Sequence, residues 1–190
     1  MATPLTAGAA TVVRQILQDK FSFADPSAAL MKAYLMHTAT DLYPGQYGEG
    51  SATQEIKMRR PNSDEGYGRV NMDLATNLSA ASLVDEKRGL ATGETFSRIV
   101  EVPQGATLVV NLVYTDAPGT SVAGKALVNN LDLAVIGQDL EMTSTDDTNN
   151  HELFEKAGLA GGKYRIEVRG TNVPMGQAGA QPFALVYSVR

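Results

Sequence analysis

The sequence predicts a mainly β protein, an antiparallel two-sheet sandwich or barrel preceded by two or three α-helices. Apolar residues recur at helical spacing only in the first part of the chain; beyond Asn77 the period changes to alternation. The alternating segments are short, Gly, Pro, Asn and Asp clusters separate them, and no crossover helix lies between them, which argues against a parallel sheet. With 190 residues, 43% of them hydrophobic, the chain can supply a core, so disorder is not expected.

The first helix is expected from Pro4, which suits a first turn where a missing N–H costs nothing, to about Asp19. Leu5, Ala9, Val12, Val13, Ile16 and Leu17 would form its apolar face, and Ala7 to Ala10 a patch of small residues open to close packing. Asp25-Pro26 reads as an N-cap followed by a first-turn proline, opening a second helix over Ala28–Ala39 with Leu30, Met31, Tyr34, Leu35 and Met36 available for packing. From Tyr43 to Gly68 the composition turns to Gly, Pro, Ser and Asn, and a loop of this length is expected to be poorly ordered in part.

Strands are expected at Phe96–Val102 and, after the turn Pro103-Gln104-Gly105-Ala106, at Thr107–Thr115. Further strands fall at Leu131–Ile136, His151–Ala157, Tyr164–Arg169 and Phe183–Val189. In Tyr164-Arg165-Ile166-Glu167-Val168-Arg169 the apolar set faces a core and the charges face water.

The composition excludes several function classes. A net charge of −5, from 16 basic and 21 acidic residues, with no basic run longer than Arg59-Arg60, argues against nucleic acid as a partner. The absence of cysteine removes disulfides and thiolate metal sites. No apolar run approaches the ~18 residues of a membrane span, so no membrane partner is expected. Arg14 follows the apolar N-terminal stretch instead of preceding it, so Met1–Leu17 does not read as a signal peptide.

Met1-Ala2-Thr3-Pro4 resembles the second half of the nucleophile motif Gly-Thr-Ser-Met-Ala-Thr-Pro of the subtilisin-like serine proteases. Two further segments are similar to that family at its spacing. Pro26-Ser27-Ala28-Ala29-Leu30-Met31-Lys32-Ala33 resembles its Pro-x-x-hydrophobic-Lys-Ala helix. Gly66-Tyr67-Gly68-Arg69-Val70-Asn71 resembles the tight turn before the short last helix of the catalytic domain, here at Met72–Ala75. In the second half, Tyr114-Thr115-Asp116-Ala117-Pro118, Leu127 to Leu133, Asn149-Asn150-His151-Glu152 and Gly170-Thr171-Asn172-Val173-Pro174 resemble the C-terminal jelly roll of certain bacterial alkaline subtilases, a fold similar to the P domain of kexin-like convertases.

The resemblance implies a jelly-roll β-sandwich at 78–190 behind a helical remnant of a subtilase catalytic domain at 1–77. It also implies a nucleophile immediately before Met1, with the Asp and His upstream. Met1, Ala2, Thr3 and Pro4 are then motif residues without catalytic roles, and the chain alone is expected to be inactive. The parent would be a secreted or periplasmic bacterial serine endopeptidase acting on proteins or peptides, and its catalytic portion would be this chain's partner. The sandwich would stabilise that portion or modulate substrate access. An alternative of another class is a stand-alone, non-catalytic binding module that forms homo-oligomers through Leu5, Val12, Val13 and Ile16 of the first helix.

Other site candidates carry bland readings beside functional ones. Thr3 and Thr6 are hydroxyls with no base in sequence reach. His37 reads as a helix-surface or interface residue and His151 as a polar strand-end residue, neither in the His-Gly-Thr context of the subtilase base. Asp116, Asn129, Asn130, Asp132, Asp139, Asp146 and Asp147 offer oxygen ligands of the kind Ca²⁺ requires, and some members of the family bind calcium in this sandwich. Against that, Asn130 stands where the family often has Asp, and Asn and Asp are ordinary turn residues. No cofactor is required, calcium being the one candidate. Tyr164, Phe183 and Tyr187, at alternating strand positions, would either line a ligand face or fill the core, the latter agreeing better with their charged neighbours.

Overall fold

A computed structural model describes residues 2–78, 80–137, 141–143, 148–176 and 178–190. The chain forms two compact units, Met1–Pro26 with Tyr34–Ser79 and Ser27–Ala33 with Ala80–Arg190.

In the first unit, helix α1 (Ala2–Asp19) buries Ala9, Val13, Ile16 and Leu17, a stripe at i, i+4, i+7 and i+8. The expected apolar face is narrower than the sequence suggested. Val12 lies off the stripe and is 44% exposed, and Leu5 is 74% exposed because residues 2–8 are exposed on every side of the helix. Helix α2 (Ala28–His37) gives Tyr34 to this unit, fully buried, its hydroxyl donating to the Ala75 carbonyl at 2.7 Å and its ring edge-on to Phe21. Burial pushes the Tyr34 hydroxyl up to about 12. His37, expected at a surface or interface, is fully buried in the last turn of α2.

The turn before helix α3 (Met72–Asn77) shows why its residues are needed. Gly68 has φ +100°, and a Cβ there would lie 2.5 Å from the Thr40 carbonyl oxygen, so only glycine passes. Arg69 and Thr40 then exchange both backbone hydrogen bonds, at 2.8 and 2.9 Å. Asn71 caps α3 by accepting from Leu74 N at 2.9 Å and donates its amide to Thr40 Oγ1. In the stretch from Tyr43 to Gly68 side chains tie several turns. Glu65 accepts from Leu42 N, Asn62 accepts from the N–H groups of Asp64 and Glu65, and Arg60, 6% exposed, donates to the carbonyls of Ala39 and Tyr67.

The second unit is the sandwich. Its strands are β1 (Ala81–Leu90), β2 (Thr95–Val102), β3 (Leu108–Val113), β4 (Asn130–Ile136), β5 (Glu141–Thr143), β6 (His151–Lys156), β7 (Gly162–Asn172) and β8 (Gln181–Val189). They form two four-stranded antiparallel sheets, β1-β8-β3-β6 and β2-β7-β4-β5. Every step along the chain crosses to the other sheet except β4 to β5. This order is that of the jelly roll, two interleaved Greek keys. The core lies between the sheets, with Leu108, Val110, Leu112 and Leu185 from one and Leu131, Leu133, Ile166 and Val168 from the other all essentially inaccessible. Strands β1 and β5 were not expected. β1 is half-buried without clean alternation and carries a bulge between Glu86 and Leu90, and β5 has three exposed residues.

Candidate functional site

Within the sandwich unit a cleft of about 310 Å³ opens between β1, the start of β8 and the connections β3–β4 and β7–β8. Its anchor is Asp85 of β1, whose side chain is 4% exposed. One carboxylate oxygen accepts from Ser27 N at 2.9 Å and from Lys87 Nζ at 2.8 Å; the other accepts from Ser27 Oγ at 2.6 Å. Ser27 Oγ in turn accepts from Leu30 N at 3.0 Å, so Ser27, and not Asp25, is the N-cap of α2. Asp25 instead lies 3.6 Å from Arg14 in an exposed ion pair.

Gln181 of the cleft lining belongs to a buried amide network. Gln181, 3% exposed, donates to the carbonyls of Thr115 and Pro182 and accepts from Asn129 Nδ2 at 2.8 Å. Asn129, fully buried, accepts from Met175 N at 3.0 Å. The Tyr114 hydroxyl donates to the Asn129 carbonyl at 3.1 Å and accepts from Leu131 N, and its burial raises its pKa far above the ordinary tyrosine value. The wall is apolar, with Ala29, Ala117, Met175, Pro182 and Phe183. The Ser27 hydroxyl donates to the Asp85 carboxylate while it caps α2 by accepting from Leu30 N.

Several of the calcium candidates carry hydrogen bonds within the fold. Asp116 accepts from Ala117 N and Asn129 N on one oxygen and from Val128 N on the other, at 2.7–2.8 Å, closing the base of the β3–β4 loop. N–H dipoles aimed at both oxygens occupy the positions a cation would need. Asn129 is bound up in the amide network, and Asp132 accepts from the Thr171 hydroxyl. Asn130, 8% exposed, opens β4. Asp139, Asp146, Asp147 and Met1 lie outside the described residues. Among the described residues no three His, Cys, Asp or Glu side chains are placed to hold a metal ion, while the second carboxylate oxygen of Asp132 is buried without a hydrogen-bond partner.

The remaining candidates fall into place singly. Ala2, Thr3 and Pro4 occupy the exposed first turn of α1, and Thr6 Oγ1 donates back to the Ala2 carbonyl at 3.2 Å. Val13 and Ile16, two of the four proposed oligomer contacts, are buried, whereas Leu5 and Val12 are exposed. His151 opens β6 with Nδ1 3.1 Å from Asn150 Oδ1 and 3.5 Å from Lys32 Nζ; burial lowers the pKa of Lys32. Tyr164 and Phe183 are core residues, 5% and 1% exposed, and Tyr187 packs against that core. Sequence reasoning missed Ser27, Asp85 and Gln181, which line one cleft, because nothing in the sequence announces that Ser27 meets Asp85 from 58 positions away.

No family model matches the chain. Two curated proteins of Dictyostelium discoideum do. The serine protease/ABC transporter B family protein tagA is 24% identical over 198 residues, covering 90% of this chain and 11% of that protein. The corresponding tagB protein is 23% identical over 249 residues, covering 98% of this chain and 13% of that protein. The chain is similar to part of two serine protease-related proteins. It spans only about a tenth of their length. Among solved structures, the periplasmic g-type lysozyme inhibitor PliG of Aeromonas hydrophila is 17% identical with a TM-score of 0.37, covering 59% of this chain and 88% of that one. A de novo designed double-stranded β-helix is 12% identical with a TM-score of 0.32, covering 59% and 100%. Scores this low transfer no functional position. No described helix is long and apolar enough to cross a membrane.

Proposed function

We propose that this chain is the portion of a subtilisin-like serine endopeptidase that follows the nucleophile, joining the last helices of the catalytic domain to a jelly roll that supports them. Neither part supplies a triad residue. The observation that carries this reading is the conjunction at the start of α1. The residues Ala2-Thr3-Pro4, which match the second half of the subtilase nucleophile motif, form the exposed first turn of an 18-residue helix with no acidic side chain in that turn. The unpaired N–H groups and dipole of such a turn favour an oxyanion beside the preceding residue. The names of the two curated relatives support the same reading.

In this reading the parent is exported, its substrates are proteins or peptides, and the jelly roll contributes stability instead of chemistry. The test is hydrolysis of a denatured protein substrate by the 190-residue chain and by the full reading frame from which it comes, each with and without a serine-directed inhibitor. The full frame is expected to be active and inhibitable, and the chain silent. Inhibitable activity in the chain alone, or none in the full frame, would overturn the proposal.

A further inference from the structure

The β3–β4 connection is the longest exposed excursion of the sandwich unit. Residues 118–126 are all exposed, and Val122, at 91%, is the most exposed large hydrophobic residue described. The base of this loop is closed by Asp116, which binds the N–H groups of Val128 and Asn129 across it. Above the base is a neck, where a Cβ on Gly119 would come within 2.8 Å of the Ala126 carbonyl oxygen. Beyond the neck lies the tip, Thr120-Ser121-Val122-Ala123-Gly124-Lys125, which turns on the bond from Ala123 N to Thr120 O.

We propose that this tip is a proteolytic processing site at which a single cut leaves the jelly roll folded. Exposed tips of small residues are where endopeptidases gain access, since the cut segment must be drawn out as an extended strand paired to the enzyme. Here the neck and the Asp116 clip confine that movement to the tip. The reaction is hydrolysis. Water oxygen becomes bonded to the carbonyl carbon of the cut residue, the C–N bond breaks, and the leaving nitrogen takes up the proton, giving a new carboxylate and a new amine. The products stay together because each sheet contains strands from both sides of the cut: β1 and β3 with β6 and β8, and β2 with β4, β5 and β7. The competing exposed stretch, Tyr43–Gly68, is pinned by the carboxylate, amide and guanidinium bonds described above. This inference stands apart from the proposed function, since any endopeptidase of broad specificity serves as the agent.

The experiment is limited proteolysis of the full chain by a broad-specificity endopeptidase at low ratio, with products identified by mass spectrometry and gel filtration. The first cut is expected within residues 120–125, the two fragments co-eluting in native buffer and separating only in denaturant. The double variant Val122→Pro/Gly124→Pro removes two N–H groups the enzyme would pair with, and is expected to slow that cut at least tenfold. Asp116→Ala, which frees the base, is expected to hasten it. A first cut elsewhere, no cut at all, fragments that part in native buffer, or an unchanged rate in the proline variant with unaltered circular dichroism would overturn the proposal.

Discussion

Replacing Asp85 by Ala removes the acceptor for Ser27 N–H, Ser27 O–H and the Lys87 ammonium at once. The side chain is 4% exposed, so the Ser27 pair is largely shielded from water, whereas Lys87 is 60% exposed and its ion pair counts for less than about 1 kcal/mol. Hydrogen bonds to a charged group contribute roughly 1.5–3 kcal/mol each, and water entering the cleft would recover part of the loss. A destabilisation of about 2–4 kcal/mol follows, or roughly 5–15 °C in Tm for a chain of this size. Urea unfolding of Asp85→Ala, Ser27→Ala and the double variant measures it, with a coupling between the two positions of about 1–2 kcal/mol. Lys87→Ala serves as the control and should change little. A loss below about 0.5 kcal/mol in Asp85→Ala, or additive single variants, would refute the view that the carboxylate fixes the cap of α2.

Three further outcomes are expected. Leu17→Ala should cost about 2–5 kcal/mol in thermal or urea unfolding, whereas Leu5→Ala should stay within about 0.5 kcal/mol, since only the former is buried. Tyr34, at about 12 in the folded chain against 10.0 for an ordinary tyrosine, keeps its proton while the unfolded chain loses one. Its contribution is therefore fully present below pH 10 and is lost as the pH rises from 10 to 12; unfolding followed across that window should show a slope that Tyr34→Phe reduces. Gly89→Ala should prevent or severely weaken folding, because its Cβ would lie 2.2–2.4 Å from the backbone of Gln181 and Pro182 at φ +78°, whereas Gly93→Ala, at φ +85° in open space, should cost only about 1 kcal/mol in the same unfolding assay.

Strand and helix types were legible wherever one face is buried along a regular element. The stripe Ala9, Val13, Ile16 and Leu17 shows this; in β7 Glu167, expected to face water, is instead buried and paired with Arg165 and Arg169, and β8 is buried on both faces. β1 escaped because its polar residues are half-buried by side-chain bonds, Asp85 above all, so no alternation marks it. The expectation of a sandwich needed only short strands without crossover helices, but the pairing order rests on contacts such as Val113 with Ala184, far apart in sequence. Asp116 shows the limit for sites. An Asp in a loop offers the same two oxygens to a cation or to N–H groups, and only the folded geometry of Val128 and Asn129 decides between them. His37 carried no sign of its burial, because a histidine near a helix end is commonly exposed.

The proposed place of this chain in a serine endopeptidase is tested most directly by labelling the native protein with a fluorophosphonate probe and sequencing the modified peptide. The account predicts a labelled serine in a peptide that continues into Met1-Ala2-Thr3-Pro4 and ends at Arg14 after tryptic digestion. Native protein that bears these sequences but takes up no label, or is labelled at a serine within residues 22–188, would contradict it.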